Sequence, residues 1–313
     1  MNMRDLVTVI SVSIPLSALA QTTTSMYEVA GVPLVQVSVN GAGPYPFVLD
    51  TGANVTMVRA QLLRALNISA TESVTIAASV GESHVHRAEP GSLAIGGLSV
   101  DNIEINTLEE GQLGALEGHV EGILGENFLK HFDVLIDNDR HALTLDRTTT
   151  LARSLAGERL PLSSTGRTPA ELTQDRLLVP LKAPSLLARS MLFLVDSGSN
   201  TAMVYPLKNE TLPFSPGAAH GRVHSLNGNQ ICHVARTPLT IGTQTYREVV
   251  MAVCESTRDN IDTDGLLPTR LFRRLFISHR DKYVIANPRM ASKSKGADAE
   301  PAHSIARDIG DPQ

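Results

Sequence analysis

The sequence predicts an all-β chain that folds as two related lobes. Two segments share one local pattern, residues 47–54 (FVLDTGAN) and 193–200 (FLVDSGSN), and they lie 146 positions apart. Two further pairs of dipeptides keep the same offset: 57–58 with 203–204 (MV) and 95–96 with 241–242 (IG). A constant offset over so many positions indicates two copies of one structural unit. A chain of 313 residues is long enough for two lobes of ordinary domain size.

Each repeated segment predicts a strand that ends in a tight turn. A short apolar, β-prone run precedes Asp50 and Asp196, and a small hydroxyl residue and a glycine follow each of them. This pattern delivers a carboxylate to a turn at the end of a strand. Each lobe is therefore expected to present one carboxylate.

The remaining elements of the first copy follow in order along the chain. Strands are predicted over residues 32–40 and 46–50, joined by a turn at 41–44 (GAGP). Residues 55–66 hold the chain that leaves the carboxylate turn and a short helix. Residues 136–145 (IDNDRHALTL) predict a hairpin that closes the first lobe.

Two hairpins are candidates for flexible flaps over a cleft. In the first copy the candidate covers residues 79–87 and contains Gly81. Its repeat covers residues 225–235 around Asn227 and Gly228. Asn-Gly between strand-like runs is a strong hairpin signal because both residues tolerate a positive φ.

Together these motifs resemble the aspartic peptidases over residues 32–287. In that family the hydrophobic-hydrophobic-Asp-Thr/Ser-Gly turn is answered, in the same lobe, by a hydrophobic-hydrophobic-Gly segment, which residues 122–125 (GILG) match. The continuation, residues 126–137 (ENFLKHFDVLID), is similar to the retropepsin-like aspartyl proteases of bacteria. The resemblance implies a bilobal acid-protease fold, in which two related β-barrel-like lobes enclose an active-site cleft.

The second copy departs from the family pattern at one position. Residues 265–268 (GLLP) stand where the glycine motif belongs, so Pro268 replaces the final glycine. Residues 271–274 (LFRR) are expected to form the helix that follows it. Whether Pro268 impairs the second lobe is left open by the sequence.

The resemblance implies that Asp50 and Asp196 form a catalytic dyad. Amide hydrolysis without a metal or a covalent nucleophile needs a base for the attacking water and a proton for the carbonyl oxygen. Two carboxylates that share one proton supply both, as in the aspartic-protease dyad, because adjacent like charges do not both ionise easily. The dyad-supporting residues are expected in the two turns and the glycine motif: Thr51, Gly52, Ser197, Gly198, Ser199 and Gly125.

The dyad is also expected to be asymmetric. The residue after each Asp-Thr/Ser-Gly is Ala53 in the first copy and Ser199 in the second. Pepsin-like enzymes can use a Ser or Thr at this place to donate a hydrogen bond to the carboxylate, whereas retropepsins often carry Ala. Because a donor favours the ionised form, Asp196 is expected to ionise more readily and Asp50 to hold the shared proton.

The predicted organisation begins with a signal peptide over residues 1–20, an apolar stretch that ends in small residues. The lobes are assigned to residues 21–146 and 171–288, with a linker at 147–170 that is rich in Ser, Thr, Gly and Pro. Residues 289–313 are polar and are expected to be disordered. The signal predicts export to the periplasm or outside the cell, with no stable membrane insertion after cleavage.

The two cysteines, Cys232 and Cys254, are candidates for a disulfide. Residues 240–246 (TIGTQTY) between them predict the tip of a hairpin. A three-residue loop at 242–244 places the two cysteines opposite each other. A bridge fits an oxidising compartment, and two buried free thiols are the alternative.

Composition narrows the classes of partner. Hydrophobic residues make up 42% of the chain and charged residues 19%, which is typical of a globular protein. A net charge of −5 without a basic stripe argues against nucleic acid as a partner. Five histidines lie on or near the flap candidates: His84, His86, His220, His224 and His233. No cysteine or carboxylate falls beside them at a recognised ligand spacing, so no metal or other cofactor is predicted.

The sequence therefore predicts an aspartic endopeptidase that cuts a peptide or protein substrate. A monomer is expected because one chain supplies both aspartates. The alternative is a noncatalytic peptide-binding protein that keeps the fold, motivated by Pro268 and by a flap without the Tyr of pepsin-like enzymes. A metal-dependent hydrolase that uses the flap histidines is the weakest hypothesis.

Overall fold

The computed structural model describes residues 20–77, 82–163, 176–207, 210, 212, 218–225, 228–255 and 263–291. These residues form mostly β-strands, with a few short helices. None of the helices in these ranges has the length and apolar character needed to cross a membrane. The predicted signal peptide and the tail after residue 291 lie outside the described residues.

Strands dominate the first half of the chain. In chain order its elements are β1 (Gln21–Ser25), β2 (Tyr27–Val29), β3 (Val32–Val39), β4 (Ala42–Leu49), β5 (Thr56–Arg59), α1 (Ala60–Ala65), β6 (Ala70–Ala77), β7 (Glu82–Ile95), β8 (Leu98–Leu108), a 3-10 turn (Gly114–Leu116), β9 (Gly122–Leu124), α2 (Glu126–Leu129), β10 (Asp133–Asp137) and β11 (Ala142–Asp146).

The second half repeats this succession after a short connection. Its elements are α3 (Thr150–Ser154), β12 (Leu155–Ala156), β13 (Leu160–Pro161), β14 (Leu178–Ala183), β15 (Leu187–Asp196), β16 (Ala202–Val204), β17 (His220–Ser225), β18 (Gly228–Ile241), β19 (Gln244–Val253), β20 (Gly265–Pro268), a 3-10 turn (Thr269–Leu271), β21 (Arg274–Ser278), β22 (Tyr283–Ala286) and β23 (Arg289–Met290).

The two lobes have the same strand order. The first-lobe sheet runs β2-β3-β4-β9-β5-β8-β7-β6, and the second-lobe sheet runs β14-β15-β20-β16-β19-β18-β17. Each sheet curls back on itself through one additional pairing, β3 with β7 and β14 with β18. The aspartate-bearing strand is parallel to the glycine-motif strand in both lobes, β4 with β9 and β15 with β20. The two copies are therefore one topology used twice.

A glycine beside a buried phenylalanine brings these parallel strands together. Phe47 and Phe193 are fully buried. A Cβ at Gly122 would lie 2.4 Å from the Phe47 ring, and a Cβ at Gly265 would lie 2.7 Å from the Phe193 ring. Because only glycine leaves room for the ring, both strands that end at the aspartates pack closely against their neighbours.

A third sheet joins the lobes. Its order is β1-β11-β10-β21-β22-β13, so three strands from the first half of the chain lie beside three strands from the second half. Strands β10 and β21 pair across the join, with Val134 opposite Ile277 and Ile136 opposite Leu275. These four side chains are buried, and the largest apolar core runs from one lobe through them to the other. The lobes therefore share one core instead of meeting at a hinge.

The expected all-β, bilobal fold is confirmed, with several local corrections. The first turn uses Asn40 and Gly41, both at positive φ (49° and 77°), because a two-residue hairpin of this kind follows the twist of its strands. No helix forms at 271–274; a 3-10 turn ends at Leu271 and Arg274 already begins β21. The expected hairpin at 136–145 is present as β10 and β11.

The segments outside the two lobe sheets are also paired where they are described. Strand β12 pairs with β23, so Arg289–Met290 belongs to a strand, although it lies in the segment expected to be disordered. Strand β13, from the predicted linker, pairs with β22. The linker therefore contributes to the second half of the fold, and residues 164–175 lie outside the described part of the chain.

Candidate active site

The two aspartates lie at equivalent turns. Asp50 follows β4 and donates its backbone N–H to the carbonyl oxygen of Leu124 at 3.0 Å. Asp196 ends β15 opposite Pro268 of β20. Asp196 is buried and Asp50 is half-buried. In both turns the carboxylate accepts a hydrogen bond from a backbone N–H two or three residues later, which is the local turn that Asp favours.

Thr51 and Ser197 bind the two turns together across the lobe boundary. The Thr51 N–H donates to Ser197 Oγ at 3.0 Å, and the Ser197 N–H donates to Thr51 Oγ1 at 3.0 Å. Each hydroxyl in turn donates to a carbonyl oxygen of the opposite strand, Thr51 to Val195 at 2.9 Å and Ser197 to Leu49 at 2.6 Å. Four reciprocal hydrogen bonds, all buried, therefore fix the separation of the turns.

Each motif glycine faces the opposite carboxylate. A Cβ at Gly52 would lie 2.6 Å from Asp196 Cγ, and a Cβ at Gly198 would lie 2.5 Å from Asp50 Cγ. No side chain fits these gaps without moving a carboxyl group. The glycines therefore allow the two carboxyl groups to approach each other, so that each affects the pKa of the other.

Burial and mutual repulsion set the electrostatics of the pair. Burial raises the pKa of Asp50, although hydrogen bonds from the N–H groups of Gly52 and Ala53 oppose the rise. Burial raises the pKa of Asp196 further above its ordinary value, and the negative charge of Asp50 adds to the rise. Both pKa values are therefore raised, and that of Asp196 more strongly, which is the condition for two carboxyl groups to share one proton.

The hydrogen bonds around the pair differ from those expected from the sequence. The Ser199 hydroxyl donates to the carbonyl oxygen of Thr201 at 2.8 Å, and only its backbone N–H reaches Asp196, at 3.0 Å. Asp50 accepts two backbone hydrogen bonds, from Gly52 at 2.8 Å and Ala53 at 3.1 Å. Asp50 therefore accepts more backbone hydrogen bonds than Asp196. The Ser199 hydroxyl, expected to donate to Asp196, instead donates to a carbonyl oxygen within its own turn.

A comparison of Gly125 with Pro268 shows how the second copy tolerates a proline in place of the motif glycine. A Cβ at Gly125 would lie 2.8 to 3.0 Å from backbone atoms of the Asp50 turn, and its N–H donates to Thr56 Oγ1 at 3.1 Å. In the second lobe Ala202 stands at the position of Thr56. Proline lacks an N–H and alanine lacks a hydroxyl, so Pro268 leaves no hydrogen-bonding group of this pair unsatisfied.

The flap candidates are only partly described. Strands β6 and β7 form one hairpin and β17 and β18 form the other, at equivalent places in the two lobes. Gly81 and Asn227 lie outside the described residues. Gly228 has a φ of +122° and follows the tip directly. Ile231, on β18 three residues after Gly228, is an exposed apolar residue, with 59% of its surface accessible.

A disulfide joins Cys232 and Cys254 at the base of the second hairpin. Their Cα atoms lie 4.5 Å apart, the spacing of a non-hydrogen-bonded antiparallel pair. The loop is shorter than expected: Gln244 pairs with Ile241, which leaves only two residues in the turn. A bulge between Thr237 and Leu239 shifts the register by one residue and restores the opposition of the cysteines.

The flap histidines are dispersed along both hairpins. His84 lies on β7, where its Nδ1 is hydrogen-bonded to Thr75 Oγ1 at 3.0 Å. His220 and His233 face each other on β17 and β18 with ring centroids 4.3 Å apart. The side chain of His224 is outside the described set. His86 uses its backbone N–H to bind Thr107 Oγ1 at 2.9 Å.

Two polar residues that sequence reasoning missed support the turns from the third sheet. His279 follows β21 and contacts α2 of the first lobe through Glu126. Asn138 follows β10 and donates to the carbonyl oxygens of Thr269 and Phe272 in the second lobe. The only available signal was the matching place of the two residues after a repeated strand. Each half of the chain therefore supports the short helical segment that follows the glycine-motif strand in the other half.

Comparison with known proteins agrees with this arrangement. Residues 35–131 match the family model described as "gag-polyprotein putative aspartyl protease", which covers the first aspartate turn and the glycine motif. The crystal structure of the aspartic proteinase from Irpex lacteus is similar, with a TM-score of 0.53 and 14% sequence identity over 88% of this chain and 99% of that chain. No curated protein sequence matches this chain significantly. The family match in the first lobe and the fold of both lobes together support an aspartic peptidase of the retropepsin and pepsin type.

Proposed function

We propose that the chain is an aspartic endopeptidase in which Asp50 and Asp196 activate a water molecule against a peptide carbonyl. The observation that carries this proposal is the contact of the two carboxyl groups at turns that Thr51 and Ser197 hold together. Burial raises the pKa of both groups, so ionising them in the folded protein is unfavourable, and carboxyl pairs perturbed in this way are concentrated at functional sites.

The asymmetry of the pair assigns the roles. Asp50, the ionised partner, accepts a proton from water as the water oxygen bonds to the carbonyl carbon. Asp196 donates its proton to the carbonyl oxygen, so the first step yields a neutral tetrahedral diol. Asp50 then gives its proton to the amide nitrogen and the C–N bond breaks. A diol hydroxyl returns a proton to Asp196, which leaves a carboxylic acid, an amine and the original dyad.

The surrounding turns make these transfers efficient. Because four buried hydrogen bonds fix Thr51 and Ser197, neither carboxyl group needs to reorganise when charge moves between them. The two N–H donors on Asp50 stabilise its charge before the water is deprotonated. The geometry thus favours Asp50 as base and Asp196 as acid.

The direct test is incubation of the purified protein with a diverse peptide library from acid to neutral pH. Internal cleavage that is absent in Asp196→Asn and unaffected by a chelator supports the proposal. Binding of peptides without cleavage would instead favour a noncatalytic peptide-binding protein. Cleavage abolished by the chelator would favour a metal-dependent hydrolase.

We further propose that the active enzyme is a monomer, since one chain supplies both aspartates. Specific activity is then independent of enzyme concentration, unlike that of a peptidase whose site forms only in a dimer. Loss of specific activity on dilution, with matching dissociation in sedimentation experiments, would contradict this.

Export is proposed from two observations. The first twenty residues have the pattern of a secretory signal, and a disulfide joins Cys232 and Cys254. Disulfides persist in oxidising compartments such as the periplasm. Mass spectrometry of the protein from periplasmic and medium fractions should show an N-terminus at Gln21. Recovery of uncleaved protein with free thiols from the cytoplasm would contradict export.

A further inference from the structure

A buried ion pair lies behind the first active turn. His279 Nε2 and Glu126 Oε2 are 2.8 Å apart, and only 3% and 1% of the two side chains are exposed. The other ring nitrogen of His279, Nδ1, lies 2.7 Å from the carbonyl oxygen of Phe132. With both ring nitrogens near acceptors, the protonated imidazole satisfies both contacts by donating twice. The site thus favours a charged histidine in a buried place.

The glutamate of this pair belongs to the helix that holds the Asp50 turn. The N–H of Glu126 donates to the carbonyl oxygen of Ala53 at 2.8 Å, and the N–H of Asn127 donates to that of Asn54 at 3.1 Å. The N–H of Ala53 in turn donates to Asp50 Oδ1. A continuous chain of contacts therefore runs from His279 through α2 to one carboxylate of the dyad.

The second lobe has a neutral counterpart. Asn138 donates through Nδ2 to the carbonyl oxygens of Thr269 and Phe272 at 2.9 and 2.8 Å. Asn138 follows β10 as His279 follows β21, and these strands pair with each other. The support of the first lobe can change its charge with pH, whereas the support of the second lobe cannot.

Several charged groups face His279. They are Glu126 on α2, Asp133 on β10, His131 before that strand and Lys282 in the turn after β21. Burial favours the neutral imidazole, but the charge of Glu126 and its hydrogen bond outweigh burial and raise the pKa of His279. Because the folded-state pKa lies above that of the unfolded chain, the stabilisation is full at low pH and is lost as pH rises through the folded value.

We propose that Glu126 and His279 are positioning residues for Asp50, and that the peptidase loses the correct geometry of its first active turn when His279 gives up its proton. This inference rests on the proposed peptidase function. Both side chains are buried behind the turn, so neither is exposed to a bound substrate. Deprotonation leaves the buried Glu126 carboxylate without its counter-charge, and α2 and the Ala53 carbonyl that it holds are the contacts able to relax.

The test compares four variants with the wild type: Glu126→Gln, His279→Gln, the double variant Glu126→Gln/His279→Gln, and Asn138→Ala as the matched control in the other lobe. His279→Gln leaves the buried Glu126 without a positively charged partner, so kcat is expected to fall about 10-fold to 100-fold with little change in KM, as for a misplaced catalytic group. The double variant keeps two neutral hydrogen-bonding amides and should recover most of this loss.

The pH profile separates positioning from mere stability. The alkaline limb of the wild-type kcat/KM profile should contain two ionisations, those of the dyad and of His279. The double variant should keep only that of the dyad. Asn138→Ala removes support without a titratable group, so its loss should be the same at every pH. In Glu126→Gln the acidic limb should also move to lower pH, because the charge of Glu126 raises the pKa of Asp50.

A second measurement does not need peptidase activity. The His279 ring protons, assigned by difference against His279→Gln, should titrate above the ordinary pKa of histidine, and Glu126→Gln should lower this value. A wild-type protein that cuts no peptide would refute the peptidase function. The titration would still show whether His279 is held protonated by Glu126. Wild-type kcat at all pH values in His279→Gln, or a His279 that titrates at or below its ordinary pKa, would overturn the inference.

Discussion

The two lobes share one strand order but support their aspartates by different bonds. Asp50 accepts two backbone hydrogen bonds and Asp196 accepts one. In the first lobe Gly125 donates to Thr56, whereas the second lobe has Pro268 and Ala202 at these places. When both the donor and the acceptor of a buried hydrogen bond are replaced, no polar group is left without a partner. The lobes have therefore diverged by exchanging matched pairs of residues.

The positions that face the dyad have not diverged in this way. Both copies have a buried phenylalanine three residues before the aspartate, and a hydroxyl residue and a glycine directly after it. The hydroxyl residues are constrained by hydrogen bonds to the other lobe and the glycines by the opposite carboxylate. Each phenylalanine is constrained by the glycine of its own lobe that its ring packs against. The comparison therefore separates residues that form the dyad from residues that only hold it in place.

The largest effect is expected from changes to the dyad itself. Asp50→Asn and Asp196→Asn should each lower kcat/KM by more than about 10³-fold, and the double variant should be scarcely worse, because the two groups act as a unit. Steady-state kinetics on one peptide substrate measures all three. Substantial turnover by either single variant would contradict the assignment of both aspartates.

The same variants should differ in stability. Burial raises the pKa of both aspartates, and that of Asp196 further because Asp50 faces it. A carboxyl group with a raised folded-state pKa stabilises the fold at low pH and ceases to do so as pH rises through that value. Asp196→Asn should therefore raise Tm at neutral pH more than Asp50→Asn does. Equal shifts in scanning calorimetry would show that the two sites are electrostatically alike.

The next largest effect concerns the disulfide, for which the described first lobe has no equivalent. Cys232→Ala/Cys254→Ala opens a link between residues 22 positions apart, which is expected to lower the free energy of unfolding by about 3 kcal/mol. Denaturant unfolding provides the measurement, and the wild type under reducing conditions is the control. A variant as stable as the oxidised wild type would show that the hairpin register alone holds this region.

A smaller effect is expected from rebuilding the first-lobe hydrogen bond in the second lobe. Ala202→Thr alone buries an unpaired hydroxyl, and Pro268→Gly alone introduces an unpaired N–H, so each should destabilise the protein. Combined, the two groups can bond as Thr56 and Gly125 do, with a favourable coupling of about 1 kcal/mol. A double-mutant cycle measures it, and strict additivity would show that the lobes differ in backbone position there.

The smallest effect is expected at Ser199. Its hydroxyl donates to Thr201 and not to the carboxylate, so Ser199→Ala should leave the acidic limb of the pH-rate profile in place. Ala53→Ser is the matched change in the first lobe. A displaced acidic limb in Ser199→Ala would restore the side-chain donor that the sequence suggested.

The sequence was most informative where a functional residue lies within a local backbone pattern, such as a strand that ends in a turn. Asp50, Asp196 and Gly125 follow from strand, turn and glycine patterns, because those patterns describe contacts within one lobe. The cysteine pair was also placed correctly opposite each other, but for an incomplete reason. A shorter turn and a bulge near Pro238 replace the three-residue loop, and sequence reasoning had no signal for a compensating pair of irregularities.

The orientation of the Ser199 hydroxyl and the cross-lobe supports were beyond sequence reasoning. The pattern at Ser199 suggested a donor, but its rotamer depends on the competing Thr201 carbonyl. His279 and Glu126 are 153 positions apart, and their contact exists only because β10 pairs with β21. Such contacts depend on the packing of the lobes, which local patterns do not encode.

The third sheet also determines when the molecule becomes functional. It contains β1, near residue 21, and β22, which ends at Ala286, so it cannot be completed until almost the whole described chain is available. Contacts of such long sequence separation form slowly, because the chain loses the entropy of loop closure before strand pairing contributes favourable free energy. On a ribosome the first lobe emerges with Asp50 but without its partner. For the proposed peptidase, a nascent chain with Asp50 alone lacks its second catalytic group, so the order of synthesis delays proteolysis until the last strands have paired.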